Sequence, residues 1–168
     1  IELLIKHGSE LNTLDGEGNS ALHLASSVAV AELLLEAGAD PNVRSGDGTP
    51  VLHQKTSIDD VEIAYTLIEW GADVNSKTDF GMTPLHVACY ENCPETARML
   101  VEEAGADVTI KTENGNTALH YLALDSRDAE LCQALIEKGA DIHAKADDGD
   151  TPLFIAEVVA ESCDDNTF

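Results

Sequence analysis

The chain has 168 residues, with 32 acidic against 9 basic side chains and a formal net charge of -23. That balance opposes nucleic acid and anionic membrane as ligands, since phosphate contacts need Lys and Arg, and it favours a basic partner. Apolar residues make up 43% but aromatic residues only 4%, so any core must be built from Leu, Ile, Val and Ala, which suits close helix-on-helix packing.

No apolar run approaches the ~20 residues of a membrane span, so no membrane insertion is expected of this segment. The sequence opens at Ile1, without methionine or signal peptide, and is read as a fragment of a longer chain. Cys89, Cys93, Cys132 and Cys163 fall at helical positions without a dense disulfide framework. Free thiols in a reducing compartment, and so an intracellular, cytoplasmic location, are expected.

In chain order, a Leu-His pair recurs after a short turn at Leu22-His23, Leu52-His53, Leu85-His86 and Leu119-His120, with Leu153-Phe154 as a fifth copy. The leucines lie 30, 33, 34 and 34 residues apart, and self-similarity at such a period signals a stacked solenoid. Each pair follows a glycine-bearing turn, as in Gly18-Asn19-Ser20 and Gly115-Asn116-Thr117. Ser20, Thr83, Thr117 and Thr151 are placed to cap a short first helix by accepting from its backbone N–H groups. Pro84 and Pro152 follow at the first helical position, where a missing N–H costs nothing. Ala25, Ala88, Ala123 and Ala156 keep that helix slim. A second helix carries Leu34-Leu35, Leu67-Ile68, Leu100-Val101 and Leu135-Ile136, and stops at Gly38, Gly71, Gly105 and Gly139. Gly-Ala-Asp follows each time.

These residues resemble the ankyrin repeat family, whose signature reads Thr-Pro-Leu-His-x-Ala, then Leu-Leu-x-x-Gly-Ala-Asp-x-Asn. The resemblance covers essentially the whole chain. It implies an all-α solenoid of stacked helix–turn–helix units with β-hairpin or turn fingers. One array is expected over 1–168, with a partial unit at 1–14, complete units at 15–44, 45–77, 78–111 and 112–145, and a partial unit at 146–168. It further implies that His23, His53, His86 and His120 are buried and structural, bonded to backbone and to the threonine hydroxyl. Incomplete units at both ends would leave Leu3, Leu4, Val158 and Val159 exposed.

Departures from the pattern are informative, since local rules tend to fail at functional or strained sites. The first complete unit is short, with Ser26-Ser27-Val28 between its helices, so a tight corner is expected there. The second reads Gly48-Thr49-Pro50-Val51-Leu52-His53, its Thr-Pro pair shifted by one place. It also has Lys55-Thr56 where the family prefers small residues. Lys55 must snorkel to the edge or find a carboxylate, with Asp59 or Asp60 as candidates. The third unit gains Ala104 and the fourth gains a residue in its Asp125-Ser126-Arg127 corner.

Chemistry has few candidates. His86, Cys89 and Cys93 share a helical face, and His and Cys are zinc ligands, but His86 is claimed by the turn motif. Gly16-Glu17-Gly18 and Gly46-Asp47-Gly48 are flanked by acids that would repel phosphate. Asp147-Asp148-Gly149-Asp150 lacks the ligand spacing of a calcium loop. No catalytic residue, cofactor site or metal site is therefore assigned, and an enzyme is not expected.

The expected function is a protein-interaction module that holds a protein or peptide on the concave face, which in the family is formed by finger tips and first helices. The alternative is a regulatory or spacer segment of a larger enzyme, channel or effector. Phe80 and Met82 at a finger tip and Tyr90 at the exposed end of a first helix are the candidate anchors, because aromatic residues and Met concentrate at interface cores; packing between fingers is the other reading. Arg44, Lys77, Lys111 and Lys145 stand at one equivalent place, each followed by an acid: Asp47, Asp79, Glu113 and Asp147. Either local charge pairing or a mixed-charge binding rim at Lys77, Asp79, Lys111 and Glu113 follows. Finally, the resemblance implies that the asparagine after Gly-Ala-Asp-x is a substrate position for an asparaginyl hydroxylase, which marks Asn42 and Asn75.

Overall fold

The computed structural model describes residues 10–125 and 128–164. Among these residues are eight helices: α1 (Val28–Glu36), α2 (Val51–Ser57), α3 (Val61–Glu69), α4 (Pro84–Tyr90), α5 (Pro94–Glu102), α6 (Ala118–Asp125), α7 (Ala129–Glu137) and α8 (Pro152–Asp164). They stack in two rows. The first-row helices α2, α4, α6 and α8 pack on one another in succession, as do the second-row helices α1, α3, α5 and α7. Within a unit, α2 lies on α3, α4 on α5 and α6 on α7.

No helix pair could bury both its apolar faces alone, so each borrows a wall from its neighbours. Leu22, Leu52, Leu85 and Leu119 of the recurring pairs, with Leu35, Leu67, Leu100 and Leu135 of the second row, are buried in one continuous core. The second helices end as their glycines predict. At Gly38, φ is 98° and the next amide, Ala39 N–H, closes the helix by donating to Leu34 O at 2.9 Å. Gly71 and Gly139 carry the same hydrogen bond one residue beyond.

Fingers join the units. Each is a tight turn: Ser45 N–H donates to Thr49 O, Thr78 N–H to Met82 O and Thr112 N–H to Asn116 O, each at 2.9 Å. Among the described residues the only β pairing is the isolated antiparallel bridge between Arg44 and Pro50. Neighbouring fingers are linked by backbone bonds, with Gly46 N–H donating to Gly18 O at 2.8 Å and Glu113 N–H to Phe80 O at 3.1 Å. Gly81 permits that approach: its φ is 74°, and a Cβ there would lie 2.9 Å from Glu113 N.

Three local expectations need correction. The capping hydroxyls do not chiefly serve backbone N–H groups. Ser20, Thr83 and Thr117 hydroxyls instead donate to Nδ1 of His23, His86 and His120 at 2.8, 2.7 and 2.8 Å. The imidazole is the nearer, stronger acceptor. The Thr83 hydroxyl also accepts from the His86 backbone N–H, forming a capping box with the His86 side chain, and at Thr151, where Phe154 replaces the histidine, the hydroxyl accepts from the Phe154 N–H at 3.3 Å.

The first unit lacks its short first helix. Ala21–Leu24 form turns only, and Ser27 already caps α1 by accepting from Val30 N–H. The shortened corner leaves no room for further helical bonds, which strands the carbonyls of His23 and Ala25.

Those carbonyls explain Lys55, which finds no carboxylate. It is 3% exposed, and its Nζ donates to His23 O at 2.9 Å and Ala25 O at 2.7 Å. Asp59 and Asp60 are committed elsewhere. Asp59 accepts from Thr96 N–H at 3.0 Å and from the Thr96 hydroxyl, while Asp60 caps α3 through Ile63 N–H. Desolvation lowers the Lys55 pKa, and Asp60 acts against that shift.

At the far end α8 runs for 13 residues, where α2, α4 and α6 have seven or eight. Leu153 on it is 61% exposed although Leu52 and Leu85, its counterparts, are buried. Val158 is exposed and Val159 half-buried. Leu3, Leu4, Ser126 and Arg127, and the side chain of Cys163, lie outside the described residues.

Candidate functional site

The four motif histidines form a structural tie rather than a reactive set. Nε2 of His23, His53, His86 and His120 meets the carbonyls of Thr49, Met82, Ile110 and Asp150 at 3.4, 2.9, 3.1 and 3.3 Å. A carbonyl only accepts, so Nε2 carries the proton and Nδ1 is the acceptor. Burial, working against these hydrogen bonds, pushes the His53 and His86 imidazoles down to about 4. At His53 the pattern fails. Three residues before it stands Pro50, which has neither hydroxyl nor N–H, and Nδ1 of His53 is buried without a hydrogen-bond partner.

The candidate anchors belong to the third complete unit, on its finger and its first helix. Phe80 sits on the finger between Thr78 and Met82 and is 73% exposed. Met82 is half-buried, and its carbonyl is the one that takes His53. Tyr90 ends α4 and is 58% exposed. Its ring meets Tyr121 of α6 edge-on, with centroids 5.9 Å apart, and Tyr121 in turn stands edge-on to His86 at 5.8 Å. Tyr121 was not singled out from the sequence. It follows His120 as Val87 follows His86, so overlaying the units would have placed it beside Tyr90.

The basic ladder forms, but not as ion pairs with its own acids. Arg44 Nη1 donates to Gly48 O at 2.7 Å and Nη2 to Lys77 O at 3.1 Å. Lys111 Nζ donates to Lys145 O at 2.8 Å. Stacking brings the next finger's backbone carbonyls within reach of these side chains. Among the described residues the ion pairs are instead those of Arg98, on α5, with Asp128 and Glu130. Lys77, Asp79, Lys111 and Glu113 are exposed along the fingers, and the Asp79 carboxylate lies over Gly48.

Asn42 and Asn75 are structural links. Asn42 Oδ1 accepts from Asp73 N–H at 2.8 Å while its Nδ2 donates to Gly71 O at 3.0 Å. Asn75 Oδ1 accepts from Asp107 N–H at 2.9 Å, and Asn12 does the same for Asp40 N–H at 2.8 Å. Thr109 and His143 hold the equivalent places in the next two units. Thr109 is exposed and its hydroxyl donates to the nearby Asp107 carboxylate instead.

Among the described residues no group of three or more His, Cys, Asp and Glu is disposed to hold a metal ion. Cys89 is buried, and desolvation pushes its thiol up to about 12, far from the thiolate a metal needs. The Cys93 thiol is directed at Glu91 O, 3.7 Å away. No described helix is long and apolar enough to cross a membrane.

Comparison with known proteins agrees with this geometry. The family model described as ankyrin repeats matches three times, over residues 27–112, 52–146 and 104–161. The chain is also similar to protein phosphatase 1 regulatory subunit 27 from Homo sapiens and from Mus musculus, 39% identical over 41 residues, which is 24% of this chain and 27% of each relative. It thus spans about a quarter of the length of the curated relatives it matches. The repeated helix pairs, the buried Leu-His segments and the threefold family match together make this chain a member of the ankyrin repeat family, a family of protein-interaction modules.

Proposed function

We propose that the chain is a non-catalytic module that holds a protein or peptide on the side formed by its fingers and first helices. The observation that carries this reading is the set of exposed aromatic rings on that side. Phe80 and Tyr90 stand open to solvent in a chain with few aromatic residues, and Tyr121 backs Tyr90. Met82 supplies a pliable apolar edge, while Lys77, Asp79, Lys111 and Glu113 form a polar rim. A basic partner suits the -23 charge. An intracellular setting accords with the free thiols of Cys89, Cys93 and Cys132. Asn42 and Asn75 remain candidates for hydroxylation, to be read as an added oxygen by mass spectrometry of the protein from its own host.

Quantitative capture from extracts of that host tests the surface. Proteins retained by the wild type should be lost with Phe80→Ala plus Tyr90→Ala, a variant expected to keep its fold because both side chains are exposed. Unchanged retention by the double variant would refute the assignment. A second reading is a regulatory segment of a larger assembly. It rests on the similarity to a subunit named as regulatory, although that likeness spans only 41 residues.

A further inference from the structure

The second-row helices share an electrostatic feature that their packing does not require. Each ends on a glutamate: Glu36 of α1, Glu69 of α3, Glu102 of α5 and Glu137 of α7. The carboxyl end of a helix is the negative pole of its dipole, so a carboxylate is repelled there and a lysine or arginine is favoured. None of the four has a basic residue in its last turn, and α5 is followed by a further acid, Glu103. Glu62, Glu95 and Glu130 stand in the first turns of α3, α5 and α7, where the dipole suits them. Stacking lines these acids up as two rows, set two turns, or about 10 Å, apart along each helix.

A groove of about 760 Å³ runs over α1, α3 and α5 and takes in Glu62 and Glu95 of one row with Glu69 and Glu102 of the other. Its apolar lining is Val28, Val61, Met99 and the ring of Tyr65, which is 37% exposed midway between Glu62 and Glu69. No finger or first-helix residue lines it, so it is separate from Phe80 and Tyr90. No lysine lines it either, and its one cation, Arg98, is engaged by Asp128 and Glu130 of the following unit. Over α7 both acids have partners within the chain: Glu130 is met by Arg98, and Glu137 accepts from the Gln133 amide at 2.8 Å. Among the described residues no ion pair offsets the glutamates of α1 and α3, or Glu95 and Glu102 of α5.

We propose that this groove is a second docking surface, which binds a basic amphipathic helix of a partner protein. The apolar ridge of that helix lies on Tyr65 and Met99, and its lysine or arginine side chains reach the two glutamate rows. The surface lies on the second helices and does not depend on the finger-side reading. A helix is about 10–12 Å across, which matches rows two turns apart. An extended strand, whose side chains alternate between two opposite faces, cannot send residues to the apolar lining and to both rows at once. Cations brought to Glu69 and Glu102 relieve a repulsion that the free chain carries, so the complementary charge acts where it gains most. Their long stems also cover apolar surface while the charged heads reach the carboxylates.

The test uses the whole chain and a synthetic peptide of about 18 residues, or five helical turns, with a leucine ridge flanked on both sides by lysine and arginine. A peptide of the same composition in scrambled order is the control. The chain has two methionines, Met99 in the groove and Met82 on a finger, so methyl NMR reads the two surfaces separately. The amphipathic peptide should shift the Met99 methyl saturably and leave Met82 in place, while the scrambled peptide binds much more weakly. Glu69→Gln with Glu102→Gln should weaken binding by about tenfold, the scale of two exposed ion pairs. The same variant should unfold at a higher temperature than the wild type, because two repelled carboxylates are gone, so its weaker binding is not a folding defect. Phe80→Ala with Tyr90→Ala should bind the peptide unchanged, which keeps this result apart from that of the finger surface. Equal shifts at both methyls, equal binding of the scrambled peptide, or a charge variant that binds undiminished or is less stable would overturn the proposal.

Discussion

Lys55 shows how a single residue can be right for one chain and wrong for its family. A small side chain there would leave the carbonyls of His23 and Ala25 buried without a donor, because the shortened corner before α1 has stopped the helix that would have used them. Lys55→Ala, which restores the family's preference, should therefore destabilise the protein by about 1–3 kcal/mol, the cost of orphaning buried acceptors. Urea denaturation would measure it, and an unchanged midpoint would contradict the account. The histidines give a second expectation. The unfolded chain takes up imidazole protons near pH 6.5, whereas burial keeps His53 and His86 neutral down to about 4. It lowers His23 and His120 as well. Their stabilising contribution is complete above about pH 6.5 and falls as the pH drops towards 4. Acid also relieves repulsion among the 32 acids, so a comparison isolates the imidazole part. Stability should fall less steeply between about pH 6.5 and 4 in His86→Gln than in the wild type.

At the scale of elements, the sequence was legible where one local rule decides the outcome. Gly38, Gly71, Gly105 and Gly139 mark left-handed positions that few other residues accept, and the second helices stop there. The first-row helices were legible from Pro84 and Pro152, and the burial of the motif histidines from the resemblance to the ankyrin repeat family. Contacts that reach from one unit to the next were not legible. Whether Arg44 meets Asp47 or the Lys77 carbonyl depends on how close the stacked fingers lie, and no property of either residue fixes that distance. The same holds for Tyr121, which matters only because α6 sets it against Tyr90. The asparagine links show the energetic weight of such reach. Asn12, Asn42 and Asn75 each bind the next unit's Asp amide, and Thr109 ends that series. Thr109→Asn should extend it to Asp141 and raise stability by about 0.5–1.5 kcal/mol, the usual net value of one hydrogen bond. Calorimetry showing no rise in the transition temperature would count against it.

For the whole molecule, charge and connectivity dominate. An excess of acids on a thin stack means self-repulsion, offset among the described residues only by the ion pairs of Arg98. Raising salt from roughly 0.01 to 0.15 M shortens the screening length from about 30 to 8 Å, so the unfolding temperature should rise over that range while capture of a basic partner weakens. Moving both quantities in the same direction would show that the charge does not act as described. In a linear array each unit's stability is shared with its neighbours alone, and the link through Lys55 adds a direction to that sharing. The buried carbonyls of His23 and Ala25 before α1 are met by the ammonium from α2, while α2 keeps its own helical hydrogen bonds without them. A local opening of α2 would therefore also leave the two carbonyls before α1 without their donor, so that whatever disturbs the second complete unit is felt in the first through one side chain.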